Sequence, residues 1–149
     1  MKSLVKSIGK RLSNFRAGGE STDSHFEFGK RCEQAAAKFL KRRGMTLIQS
    51  NYLDQFGEID LIMVDRRVVV FVEVKARRSD KGGAGYEAID AEKERKISKT
   101  ALSFLQKNDL LENAYRFDVV SILWPREQKK PTIDYFENAF ESVEANQLF

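Results

Sequence analysis

Among its 149 residues this chain has one cysteine, Cys32, and one histidine, His25. A lone cysteine excludes an internal disulfide and a Cys-rich zinc site. A lone histidine argues against His-based triads and His-rich metal centres. No apolar run approaches the roughly 18 residues that a membrane-spanning helix needs. The N-terminal segment lacks the continuous apolar core of a secretory signal. No G-x-x-x-x-G-K-[ST] phosphate loop occurs, no internal repeat is visible, and no row of aromatics forms an obvious stacking platform. With these classes set aside, the cytoplasm is the compartment expected by default.

What is present suits one globular domain. Apolar residues make up 42% and charged residues 32%, which separates the chain from disordered sequences. Its net charge of +4 permits a nucleic-acid partner without requiring one. Residues 1–25 read as a basic extension and linker, and 26–149 as the folded domain. Met1 to Arg16 carries Lys2, Lys6, Lys10, Arg11 and Arg16 and no acid, with Leu4, Val5, Ile8, Leu12 and Phe15 at helical spacing. It reads either as a solvated extension or as an amphipathic helix for a partner or a membrane surface. Ala17 to Ser24 reads as a flexible linker.

The longest apolar runs, Ile59–Val64 and Val68–Val74, are split by Asp65-Arg66-Arg67 and read as two adjacent strands. Both parities are apolar, as in strands buried on both faces. With a loop of two or four residues, Asp60 lies opposite Glu73 and Glu58 opposite Lys75, all on one face. Carboxylates opposed in this way repel at a Cβ separation of about 5 Å. They must be neutralised, paired or bound to a cation. Either Lys75 neutralises one acid while the other reaches solvent, or the two hold a hard cation such as Mg²⁺ or Mn²⁺. Arg66-Arg67 is a poor type I′ turn, and a three-residue loop would slide Asp60 opposite Val72.

Elsewhere, Phe28 to Arg43 reads as a helix ended by Gly44, with Phe28, Cys32, Ala35, Ala36 and Phe39 as its apolar stripe. Glu33 borders that stripe, either as a surface residue paired with Lys30 or as a further acid aimed at the sheet. Met45 to Tyr52 reads as the first strand, Asp54 to Gly57 as a turn, and Gly82, Gly83 and Gly85 as a loop. Asp90 to Gln106 reads as a second helix burying Ile97, Ala101, Phe104 and Leu105. Lys93 and Lys96 crowd its N-terminal half, against the helix macrodipole. They are either solvated or serve an anion such as phosphate. Arg116 to Trp124 and Thr132 to Phe136 complete the strands, with Asp118 expected to pair with an arginine. The order α-β-β-β-α-β-β specifies an α/β sandwich around a mixed sheet.

Placed on that scaffold, Asp60, Glu73 and a backbone carbonyl near Val74 would hold one divalent ion. Such an ion polarises a phosphate oxygen and lowers the pKa of a water. Lys75 would position that water or stabilise transition-state charge. Glu33 would add a contact, and Arg77, Lys93 and Lys96 would bind the nucleic acid.

Asp60 followed by Glu73-Val74-Lys75 resembles the D…(D/E)-x-K signature of restriction-endonuclease-like nucleases. The wider pattern looks like the bacterial YraN family. It comprises Gly29 with Glu33, Gly44, Asn51, Gly57 to Ile62, Val70 to Arg77, Lys93, Arg116 to Val120 and Asn138-Ala139-Phe140. The resemblance covers roughly Phe28 to Phe140. It implies a fold related to Holliday-junction resolvases, with Glu33, Asp60, Glu73 and Lys75 on the nuclease positions. Arg66-Arg67 and the basic extension depart from the usual pattern. Three functions follow as expectations: a metal-dependent nuclease acting on branched or single-stranded DNA, a non-catalytic nucleic-acid-binding module, and an interaction protein using Met1–Arg16. Cutting both strands of a junction would favour a homodimer.

Overall fold

The computed structural model describes residues 24–80 and 89–143. The proposed N-terminal helix, the linker up to residue 23 and the glycine loop lie outside the described residues. Helix α1 runs His25–Arg42, strand β1 Thr46–Leu53, β2 Glu58–Asp65 and β3 Val68–Arg77. Helix α2 follows at Ala91–Lys107, then β4 Tyr115–Leu123 and β5 Thr132–Phe140. The strands lie in the order β1-β2-β3-β4-β5. All neighbours are antiparallel except β3 and β4, which are parallel and joined through α2. This is the mixed-sheet α/β sandwich expected from the element order.

Both helices are set by local chemistry. Ser24 caps α1 in a reciprocal box, its hydroxyl accepting the Glu27 N–H while the Glu27 carboxylate accepts the Ser24 N–H. The helix therefore starts three residues before the expected Phe28. Its buried stripe is Phe28, Cys32, Ala36, Ala37 and Leu40. Leu40 and Ala37 replace the expected Phe39 and Ala35, which are only partly buried. At its end Gly44 takes φ +96 and donates to the Lys41 carbonyl, a left-handed turn that favours glycine. Asp90 caps α2 by accepting the Lys93 N–H at 2.8 Å.

The sheet separates two apolar layers. On one face Ile97, Ala101, Phe104 and Leu105 of α2 cover Ile62, Val64, Phe71, Phe117 and Val119. On the other, the α1 stripe covers Leu61, Met63, Val70, Val72, Val120 and Ile122. Burying each such side chain stabilises the fold by about 1.5–3 kcal/mol before entropy is counted. Arg66-Arg67 makes a two-residue turn after all, because Arg66 adopts φ +59 and Asp65 pairs with Val68. Gly57 packs so closely on α2 that a Cβ there would meet the Thr100 hydroxyl at 3.3 Å.

The far edge explains two of the sequence patterns. Strand β5 extends to Phe140, four residues beyond expectation, through an irregularity opposite Asp118. Asn138, at φ +52, donates its N–H to the Asp118 carboxylate at 2.8 Å. Phe140 then stacks on Phe117 with ring centroids 4.8 Å apart. Asp118 is fully buried and also bonds Arg116 and the Tyr135 hydroxyl. Arg116 reaches onward to Asp65 at 3.0 Å. The Arg116–Asp118 pattern and the Asn138-Ala139-Phe140 pattern are thus two halves of one structural clasp, and the expected arginine partner of Asp118 is Arg116.

Candidate functional site

Asp60 sits where two strand pairings come apart. The β2–β3 ladder runs from Asp65–Val68 to Leu61–Val72, in the register expected from an even loop, and goes no further. Beyond it, the Asp60 carboxylate accepts the Val74 N–H at 2.8 Å, in the place a backbone carbonyl of β2 would otherwise take. On the other side of β2, Asn51 lies between the paired residues Ser50–Leu61 and Tyr52–Ile59 and adopts φ +51. Alternation breaks here: Ile59 packs on the α2 face and Leu61 on the α1 face, although they are two residues apart. Asp60 occupies the step between them.

The acids do meet. Glu73 is buried, with 7% of its surface exposed, and its carboxyl shares a hydrogen bond with Asp60. Burial first, then the charge of Glu73, pushes the Asp60 carboxyl up from 3.8 to about 8. The Val74 N–H opposes this, and Glu33 adds to it. Near neutral pH the Asp60 carboxyl is thus held toward its protonated form. Lys93 of α2 forms an ion pair with Glu73. Burial weighs against the Lys93 charge, but Glu73 more than offsets it, so the ammonium is held above its ordinary range. Its place near a helix N-terminus, unfavourable for the macrodipole, is thus answered by a buried acid.

These groups line a cleft of about 380 Å³ with Gly57, Glu58, Asp90, Glu92, Lys96 and Ile97. Of the residues expected at a site, Asp60, Glu73, Lys93 and Lys96 are brought together here. Lys96 pairs with Glu92 at 3.4 Å across one helical turn, an exposed contact of little energetic weight. Lys75 lies one pleat beyond Glu73, half-buried and outside the cleft lining. Arg77 is further along the strand, with Asp80 at 4.0 Å. Glu58 does not face Lys75 as expected. It pairs with Leu53 of β1, and its carboxylate accepts from the Asn51 amide at 3.1 Å.

Glu33 comes from the opposite face and reaches the same fork through Asn51. The Asn51 amide donates to Glu33 at 2.9 Å and to Glu58, while its carbonyl accepts from Lys30. Lys30 lies 3.7 Å from Glu33, so the surface pairing and the inward placement of Glu33 both hold. Asn51 is the residue that strand reading missed. Its left-handed backbone and its bridging role have no periodic signature, and only its place in the wider pattern marked it.

The donor set has the right chemistry for a hard divalent cation: two adjoining carboxyl groups that repel until neutralised. Among the described residues, however, no group of three or more His, Cys, Asp or Glu side chains is arranged to hold a metal. A divalent ion placed there would meet two protein carboxyl groups, Asp60 and Glu73.

Fold and acids together describe an α/β protein with a five-stranded mixed sheet and a carboxyl pair where two of its strands part. Residues 32–122 match the family described as Uncharacterised protein family UPF0102, and the chain belongs to that YraN-type family. A UPF0102 protein of Rhodopirellula baltica is 38% identical across 97% of this chain and 90% of its own length. That match reaches into the basic N-terminal extension. Relatives from Ectopseudomonas mendocina and Syntrophus aciditrophicus are 41% and 42% identical over 80% and 76% of the chain, and over 98% and 87% of their own. Among the described residues no helix is long and apolar enough to cross a membrane.

Proposed function

We propose that the fork is the active site of a metal-dependent nuclease that hydrolyses phosphodiester bonds in DNA. The observation that carries this reading is the adjoining Asp60–Glu73 pair, in which burial first and then the Glu73 charge raise Asp60 to about 8. A stable core has no use for such a pair, and strongly perturbed acids in a cleft cluster at functional sites. Asp60 and Glu73 would hold Mg²⁺ or Mn²⁺. That ion, when bound, supplies charge for a phosphate oxygen and an acidified water. Val74 fixes the Asp60 carboxylate through its N–H, and Glu73 adjoins it on the cleft side. Lys93 and Lys96 stand on the cleft wall, where they attract the phosphate backbone. Lys75, one pleat beyond Glu73 on the same face, would stabilise charge developing on the phosphate. Glu33, through Asn51, completes the acid cluster.

The test is cleavage of labelled single-stranded, duplex and branched DNA with Mg²⁺, Mn²⁺ or EDTA. Metal-dependent cutting is expected in the wild type and absent in Asp60→Asn and Lys75→Ala with folding intact by circular dichroism. Cutting that survives Asp60→Asn would overturn the assignment. One observation favours a second reading, a binding module without turnover: Lys93 already neutralises Glu73. That reading predicts salt-dependent DNA binding indifferent to EDTA.

A further inference from the structure

On the α1 side of the same fork lies a second groove, of about 420 Å³, between α1 and β1. Ala37 and Leu47 contribute to its lining, and Lys38, Lys41, Gln34 and Ser50 are among its polar residues. It is joined to the acid cleft by the bridge already described. Asn51 and Glu33 line the groove, and Asn51 bonds Glu58, which lines the cleft. The two hollows therefore share one wall at the point where the sheet opens.

The charges of the groove are unequal in kind. Lys30 is committed to Asn51 and Glu33. Lys38 and Lys41 have no acidic partner among the described residues and are exposed. Their four-carbon stems can lie along Ala37 and Leu47 while the ammonium groups stand at the rim. Spaced three residues apart on a helix, they sit on one face, about 5–6 Å apart at Cβ. An uncompensated cation pair beside a cleft read as a phosphodiester-cutting site calls for an anion.

We infer that the α1–β1 groove is a second phosphate-binding subsite, in which Lys38 and Lys41 hold the backbone of the same DNA strand that enters the acid cleft. The inference rests on the nuclease reading of that cleft and adds the path of the strand. It crosses the end of the sheet over Glu58 and Asn51, with Lys93 and Lys96 on one side and Lys38 and Lys41 on the other. Lysines recognise phosphate as point charges, so this subsite contributes affinity without sequence preference.

The test is fluorescence anisotropy of full-length protein with a labelled single-stranded oligonucleotide, over graded KCl in EDTA, so that binding is read without cleavage. Wild type, Lys38→Ala/Lys41→Ala and Lys107→Ala are compared, the last removing a charge from the distal end of α2. The double variant is expected to bind about tenfold more weakly. Its plot of log affinity against log salt should be shallower by roughly 0.7 for each lysine. Lys107→Ala should match the wild type. If the wild type binds and the double variant matches it in affinity and slope, the groove is no subsite. If Lys107→Ala falls as far as the double variant, general charge accounts for the effect and the proposal fails. A wild type that binds no DNA in EDTA at any salt would show that the lysine pair holds no strand and would overturn the subsite, while the metal-dependent cleft is judged separately by the cleavage assay.

Discussion

Two aspartates of one sheet, the partly buried Asp60 on β2 and the fully buried Asp118 on β4, have met opposite fates. Asp118 is saturated: Arg116, the Tyr135 hydroxyl and the Asn138 N–H all serve its carboxylate. Arg116 is held charged against its burial by Asp118, Tyr135 and Asp65. Tyr135 is pushed above its ordinary range by burial and by Asp118. Asp60 has one backbone N–H and faces another acid. The lesson is that burial alone does not mark a site. A buried acid surrounded by donors closes a structure, whereas one left beside a like charge keeps a place for something else.

Mutations that break this contrast should differ in sign as well as size. Asp118→Ala leaves the Asn138 N–H and the Tyr135 hydroxyl without their acceptor and Arg116 with Asp65 as its main partner, and should cost about 3–5 kcal/mol in urea unfolding. Tyr135→Phe removes one bond to an ionised carboxylate and should cost about 1.5–3 kcal/mol by the same measurement. Lys93→Ala leaves Glu73 buried without its counter-ion and should cost about 1–2 kcal/mol, with much of that recovered on adding Mn²⁺.

Asp60→Asn is expected to stabilise the protein by about 1 kcal/mol at pH 8. The sign follows from linkage. A carboxyl raised from 3.8 to about 8 in the fold binds more protons folded than unfolded in that window. Wild-type stability from this group is then full below about pH 4 and falls as pH rises toward 8. The gain in Asp60→Asn should accordingly shrink toward pH 4, as read by thermal unfolding across that range. A uniform gain at all pH values would show that Asp60 is not strained by its neighbour.

Much of this was legible before the coordinates. The double-parity apolar runs specified central strands, and the even loop put Asp60 and Glu73 within reach. The α2 face of Ile97, Ala101, Phe104 and Leu105 follows helical period, and the structure buries all four. What stayed hidden shares a cause: non-periodic backbone. Arg66, Asn51 and Asn138 all take positive φ without being glycine. These conformations tighten the hairpin, twist the fork and bend β5, and residue type alone does not announce them. The capping box of Ser24 and Glu27 has a readable spacing, but Ser24 is also the last residue of the stretch that reads as a linker. The Lys93–Glu73 pair depends on how α2 docks, which no local pattern contains.

The central claim is that the Asp60–Glu73 pair is incomplete until a cation joins it, while the Asp118 clasp is complete as it stands. Calorimetric titration of the protein with Mn²⁺ tests this most directly, comparing wild type with Asp60→Asn and Tyr135→Phe. The account predicts binding in the wild type, unchanged binding in Tyr135→Phe and none in Asp60→Asn. Binding that persists in Asp60→Asn, or a wild type that takes up no metal, would contradict it.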